Sequence, residues 1–157
     1  MSRETETEFF DLGDKTALVC VDQVQYQKIL VPQLIELGYK VHLGLFEEDV
    51  LLKLATYNYD VVVVYENFKG ASAEQNPILR ELLKRPGVLR RESFVVLLSH
   101  HGVTNDPMMA FTRSLDLIVN LADLANFWPV LRRGVAQHQE LYMPLRETLR
   151  TVQLGTI

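Results

Sequence analysis

The sequence predicts an α/β domain: five parallel strands in one sheet, helices on both faces, and a long helical extension at the carboxyl end. Three observations predict it. Short apolar runs alternate with amphipathic stretches along most of the 157 residues, the pattern of a parallel sheet with crossover helices. One run, "YDVVVVYE" at 59–66, carries four successive valines, as expected of a strand covered on both faces. Finally, Trp128, Leu131, Val135, His138, Tyr142, Leu145, Leu149 and Val152 recur at alternating steps of three and four, a heptad seam.

The elements follow in order. Residues 1–15 are polar apart from Phe9 and Phe10 and read as a loose arm that the two rings pin to the surface. "TALVCVD", 16–22, is the first strand, ending in an acid. In 23–38, Tyr26, Ile29, Leu30, Leu34 and Leu37 share one helical face, with Pro32 expected to kink the helix or to sit on its exposed side and Gly38 to stop it. "YKVHLGL", 39–45, is the second strand, and 46–58 a helix with acids at its amino end, where the dipole favours them. After the valine strand comes a loop, 67–75. A helix over 76–87 follows, with Asn76 as cap and Pro77 in first position. "ESFVVLLSH", 92–100, is the fourth strand, 107–114 a short helix begun by Pro107, and "LDLIVNL", 115–121, the fifth strand. A long helix runs from about Asp123.

A globular core is expected from the 48% hydrophobic content, and the net charge of −4 gives no basis for a nucleic-acid footprint. Cys20 is single, so no internal disulfide forms, and it reads as a buried strand residue. No apolar run reaches the length of a membrane span, and the amino terminus has no signal-like segment. The expectation is a cytoplasmic protein without membrane or nucleic-acid contact.

In such a sheet the carboxyl ends of the strands share one edge. Asp22, Tyr65, Glu66, Ser99, His100 and Asn120 should meet there. A phosphoryl-transfer site needs a nucleophilic carboxylate, a metal and positive charge. Tyr65 is a poor nucleophile at neutral pH, because a phenol ionises only near pH ~10. Glu66 should point to the other side of its strand from Tyr65. The adjacent His100 and His101 suggest a metal or a base, yet no cysteine and few acids lie near them.

The strand order and strand ends over 16–137 resemble the receiver domain of bacterial two-component response regulators. The resemblance implies a flavodoxin-like fold, and it assigns roles position by position. Asp22 and Gln23 stand where a receiver has its magnesium-holding acidic pair. Asp60 matches the acid that opens the third strand, and Tyr65, five residues on, stands in the place of the phosphate-accepting aspartate. Ser99 matches the hydroxyl that senses the phosphoryl group. Asn120 and Leu121 replace a lysine and proline. The acceptor and the lysine are both missing and the acidic pair is halved.

The expectation is therefore a pseudo-receiver: a non-catalytic signalling module with no cofactor and no metal, acting by protein contact. The rival readings are an atypical receiver that is phosphorylated on Glu66 or Asp60 or holds a divalent ion through Asp22 and Glu66, and a small-ligand-binding flavodoxin-like domain. The resemblance also makes the fourth helix a partner surface, with Met108, Met109 and Phe111 as candidates; the alternative is that they pack on the sheet. The eight seam residues, Trp128, Leu131, Val135, His138, Tyr142, Leu145, Leu149 and Val152, are candidate interface positions, although the first half of the seam can simply cover the sheet; the segment 138–157 is read as a helical extension that forms a homodimer, with packing on its own domain or fraying as alternatives.

Overall fold

The computed structural model describes residues 13–72, 75–84 and 92–140. Strands β1 (Lys15–Cys20), β2 (Tyr39–Leu43), β3 (Val61–Tyr65), β4 (Phe94–Ser99) and β5 (Leu117–Asn120) form one sheet. The order is β2-β1-β3-β4-β5 and every pairing is parallel. This is the flavodoxin-like arrangement, in which the chain reverses direction beside β1 and β3 and opens a crevice at their carboxyl ends.

The helices are α1 (Val24–Glu36), α2 (Glu47–Thr56), α3 (Pro77–Leu83), α4 (Pro107–Thr112) and α5 (127–140). A 3₁₀ segment, Leu121–Asn126, leads directly into α5. One face of the sheet is covered by α1 and α5, through Leu30, Leu34, Leu124, Phe127 and Leu131. The other is covered by α2, α3 and α4, through Val50, Leu54, Ile78, Leu82 and Ala110. The valines of β3 alternate between these two cores, Val61 and Val63 to one, Val62 and Val64 to the other, which is why the strand carries no polar position until it ends.

The caps follow from the residues that supply them. The Asn76 carboxamide oxygen accepts from the N–H groups of Ile78 and Leu79, and the Asp106 carboxylate from those of Met108 and Met109, each just before a first-turn proline. Gln33 fastens α1 to α5: its amide donates to the carbonyl of Leu124 at 2.8 Å and accepts from the N–H of Trp128 at 2.9 Å.

Some expectations need correction. Pro32 lies on the exposed side of α1, one of its two expected placements, but without the local break expected with it: the helix runs through it to Glu36. Ile29 is not on the buried face but 43% exposed, because the stripe against the sheet is centred on Leu30 and Leu34, flanked by the partly buried Tyr26, Val31 and Leu37. Most strand and helix ends fall within two residues of the expected limits; β1 begins one residue early, at Lys15, and α3 ends four residues early, at Leu83. β1 stops at Cys20, leaving Asp22 in the loop beyond it. Phe9 and Phe10 lie outside the described residues.

The seam along the last helix divides. Leu131 is fully buried in the domain's own core, so it is not an interface residue. Val135 packs against the same core. The His138 ring lies 5.4 Å from that of Phe94, with Nδ1 3.8 Å from the Asp116 carboxylate. Trp128 is 41% exposed, with the Arg132 guanidinium over its ring. Tyr142, Leu145, Leu149 and Val152 lie outside the described residues. No helix among the described residues is long and apolar enough to cross a membrane.

Candidate functional site

The site is the rim where the parallel strands end. Register does most of its assembly. Tyr65 pairs with Leu98, and the Glu66 N–H donates to the Leu98 carbonyl, continuing the ladder one residue past β3. Glu66 therefore stands beside Ser99, on the face opposite Tyr65, as the two-residue period of a strand requires. The Ser99 hydroxyl donates to Glu66 Oε2 at 3.2 Å, and the His100 N–H donates to Glu66 Oε1 at 2.6 Å. Glu66 and Ser99 are both buried.

Tyr65 is held on the other face. Its ring packs in the α1–α5 core, 5.5 Å from that of Tyr26. Its hydroxyl is hydrogen-bonded to His100 Nε2 at 2.7 Å, with the two rings edge to face. Burial, then the neighbouring Tyr26, Asp22 and Glu66, raise the phenol above its ordinary range. A phenol so placed stays protonated and is no nucleophile.

His100 is thus gripped twice from β3, by its ring and by its N–H. The rest of its loop is gripped as firmly. The Ser99 hydroxyl oxygen accepts from the N–H groups of His101 and Gly102. The Asn120 amide donates to the carbonyls of His100 and Gly102, while its oxygen caps Ala122. Thr104 accepts from the Asn120 N–H and donates to Asp123. Gly102 is required for this closure, since a Cβ there would come within 2.9 Å of Ile118 and 3.0 Å of the Ser99 hydroxyl.

The donor set does not fit the magnesium ion that a receiver resemblance implies. Asp22 turns one carboxylate oxygen to the N–H of Lys69, a residue in left-handed backbone conformation. Its other oxygen is buried without a hydrogen-bond partner. Both Glu66 oxygens are engaged by donors, and no group of three His, Cys, Asp or Glu residues is gathered among the described residues. One free carboxylate oxygen falls well short of a hard-cation site, which takes about six oxygens.

Asp22, Tyr65, Glu66, Ser99, His100 and Asn120 do share the rim. Gln23, the position of the second acid, precedes α1 and makes no side-chain cap. Asp60 sits at the opposite edge, its carboxylate accepting from the Thr16 N–H at 2.8 Å. A cavity of about 560 Å³ also opens at that far edge, between Asp14, Tyr39, Phe94 and His138, away from the rim. His42 is buried and hydrogen-bonded to the Tyr59 hydroxyl at 2.7 Å.

Two rim residues were invisible to the sequence reading. Asn76, read only as a cap, also donates to the carbonyls of Tyr65 and Glu66 at 2.9 and 3.0 Å. Thr104 had no distinguishing signal. The expectation that Met108, Met109 and Phe111 could pack on the sheet is overturned: they are 73, 43 and 81% exposed. Only Ala110 of α4 is buried, because a six-residue helix turns just one narrow side inward.

No family model matches this chain, and no curated protein matches it. Solved structures do. A fusion protein carrying the trimeric coiled coil of yeast Spc42, amino acids 181-211, is similar with a TM-score of 0.61 and 16% identity over 94% of this chain and 97% of the fusion. A protein assigned as a response regulator, from Chloroflexus aurantiacus J-10-fl, is similar with a TM-score of 0.59 and 14% identity over 78% of this chain and 98% of that one. At these identities the likeness is one of fold.

Proposed function

We propose that the chain is a receiver-like signalling module that does no phosphoryl transfer and acts by protein contact. The observation that carries this reading is the rim itself: Tyr65, in the acceptor's place, spends its hydroxyl on His100. The acid beside it, Glu66, spends both carboxylate oxygens on Ser99 and His100. Asn120, in the lysine's place, brings no positive charge and braces the loop with its amide. Tyr65 in the nucleophile's place, Glu66 beside it and Asn120 in the cation's place each stabilise one arrangement of the 100–102 turn, while Asp22, in a metal ligand's place, accepts from the Lys69 N–H. The fold likeness to a response regulator supports the frame of the reading.

The contact surface that fits this role is α4. Met108, Met109 and Phe111 stand out from it, and Val103 in the preceding loop is 68% exposed. Methionines adapt to irregular partners, and exposed apolar side chains gathered on one short helix suit an interaction site. The reading includes a bacterial, cytoplasmic two-component setting and a homodimer formed through the heptad positions beyond α5.

Self-association is tested by static light scattering of the full chain and of a chain ending at residue 140. That cut spares His138, which packs on Phe94. The full chain should have the mass of a dimer and the shortened chain that of a monomer. Equal monomer masses for both over a wide concentration range would remove the homodimer from the account.

A further inference from the structure

We infer that Glu66 is the resident anion of a small oxyanion pocket, formed by the Ser99 hydroxyl and the His100 N–H, that a free carboxylate or phosphate would otherwise enter. Three observations carry this. Glu66 is 7% exposed, and a buried carboxylate is tolerated only where donors or cations compensate its lost hydration. No cationic side chain reaches it in any ion pair among the described residues. Its two oxygens meet two converging donors, at 3.2 and 2.6 Å.

The pocket is built independently of its occupant. The Ser99 hydroxyl is oriented by the N–H groups of His101 and Gly102, which leave its proton free to point at Glu66. The His100 N–H is aimed by the turn that Asn120 ties down through the His100 and Gly102 carbonyls. Such fixed donors cost no reorganisation when an anion arrives. The Ser99 hydroxyl lies in a buried contact and the His100 N–H in a part-buried one, so removing their common acceptor would leave at least the hydroxyl unsatisfied, and the pocket favours an anion or an equivalent acceptor. The chain supplies its own from the next strand. The turn before α4 is therefore kept in its anion-bound arrangement with no external ligand. The consequence for α4 as an output surface rests on the interaction reading above; the pocket does not.

The test is removal and replacement of the anion. The thermal midpoints of wild type, Glu66→Ala and the double variant Glu66→Ala with Ser99→Ala are measured in chloride, formate, acetate and phosphate at one ionic strength and pH. Wild type should be indifferent to the choice among the small anions beyond their general salt effects. Glu66→Ala should melt lower in chloride and recover by about 3 °C or more in formate or acetate, through mass action on the native state. Recovery in phosphate as well would show that the pocket takes tetrahedral oxyanions. The double variant should lose the recovery. A Glu66→Ala protein that responds to these anions no more than wild type overturns the inference. Should Glu66→Ala not fold, Glu66→Gln serves. Loss of the charged acceptor should move the His100 amide proton resonance upfield, and an unmoved resonance overturns the inference equally. A failed rescue leaves the light-scattering result standing, and a monomeric full chain leaves the pocket standing.

Discussion

Replacing Asn76 with alanine should destabilise the protein by about 3 kcal/mol, a fall in melting temperature of about 9 °C for a chain of this size. The side chain is 2% exposed, and four backbone groups depend on it. Its oxygen satisfies two N–H groups at the start of α3. Its amide satisfies the carbonyls of Tyr65 and Glu66 at the end of β3. Loss of the cap alone costs about 1 kcal/mol, and the two carbonyls, left without a donor, add to it. Asn76→Asp separates the halves. It keeps the cap, removes both donors and sets a charge against two carbonyls, so it should be no more stable than the alanine variant despite its intact cap. Urea unfolding of the three proteins measures this. Because the same two carbonyls fix how β3 delivers Tyr65 and Glu66, the His100 amide should also exchange faster with solvent in Asn76→Ala.

Gly44→Ala should cost a comparable amount, about 2–3 kcal/mol. Gly44 follows β2 and its N–H donates to the Val19 carbonyl at 2.8 Å. A methyl group there would meet Val50 Cγ2 at 2.3 Å, with Leu18 behind it at 3.7 Å. Val50 is fully buried on α2, and a β-branched side chain on a helix has essentially one rotamer, so it cannot swing aside. The backbone of α2 must move. The strain belongs to one pair of side chains, which makes the prediction specific. Val50→Ala removes the clashing methyl groups, and the double variant should be more stable than the sum of the two single losses by about 1 kcal/mol or more.

The frame of the molecule was legible because its signals are local. Four valines in a row can satisfy only a strand with two cores, and β3 delivers them alternately to both. Asn76–Pro77 and Asp106–Pro107 announce helix starts, and both cap as their chemistry requires. The rim residues were legible as a set, since parallel strands bring their carboxyl ends together whatever the residues are. Their partnerships were not. That Glu66 lies against Ser99 depends on the β3–β4 register, Tyr65 opposite Leu98, and register is set by tertiary packing that a single sequence does not display. The second role of Asn76 was hidden behind its first, because a cap accounts for an asparagine before proline without reference to β3. The exposure of Met108, Met109 and Phe111 was equally unreadable: over six residues the helical period is too short to separate an inward from an outward face. In α5 the heptad spacing is real, and its first half covers the domain's own sheet through Leu131, one of the two uses the spacing allowed. A seam states that a helix has an apolar side and leaves open what that side meets.

The account stands on a rim whose reactive groups are already bonded to one another. It is tested most directly by incubating the full chain with acetyl phosphate and magnesium beside an ordinary receiver, then recording intact masses at intervals. The ordinary receiver should gain one phosphoryl group while this chain keeps its unmodified mass throughout. An acid-labile gain of one phosphoryl group on this chain, absent from a Glu66→Gln variant, would contradict it.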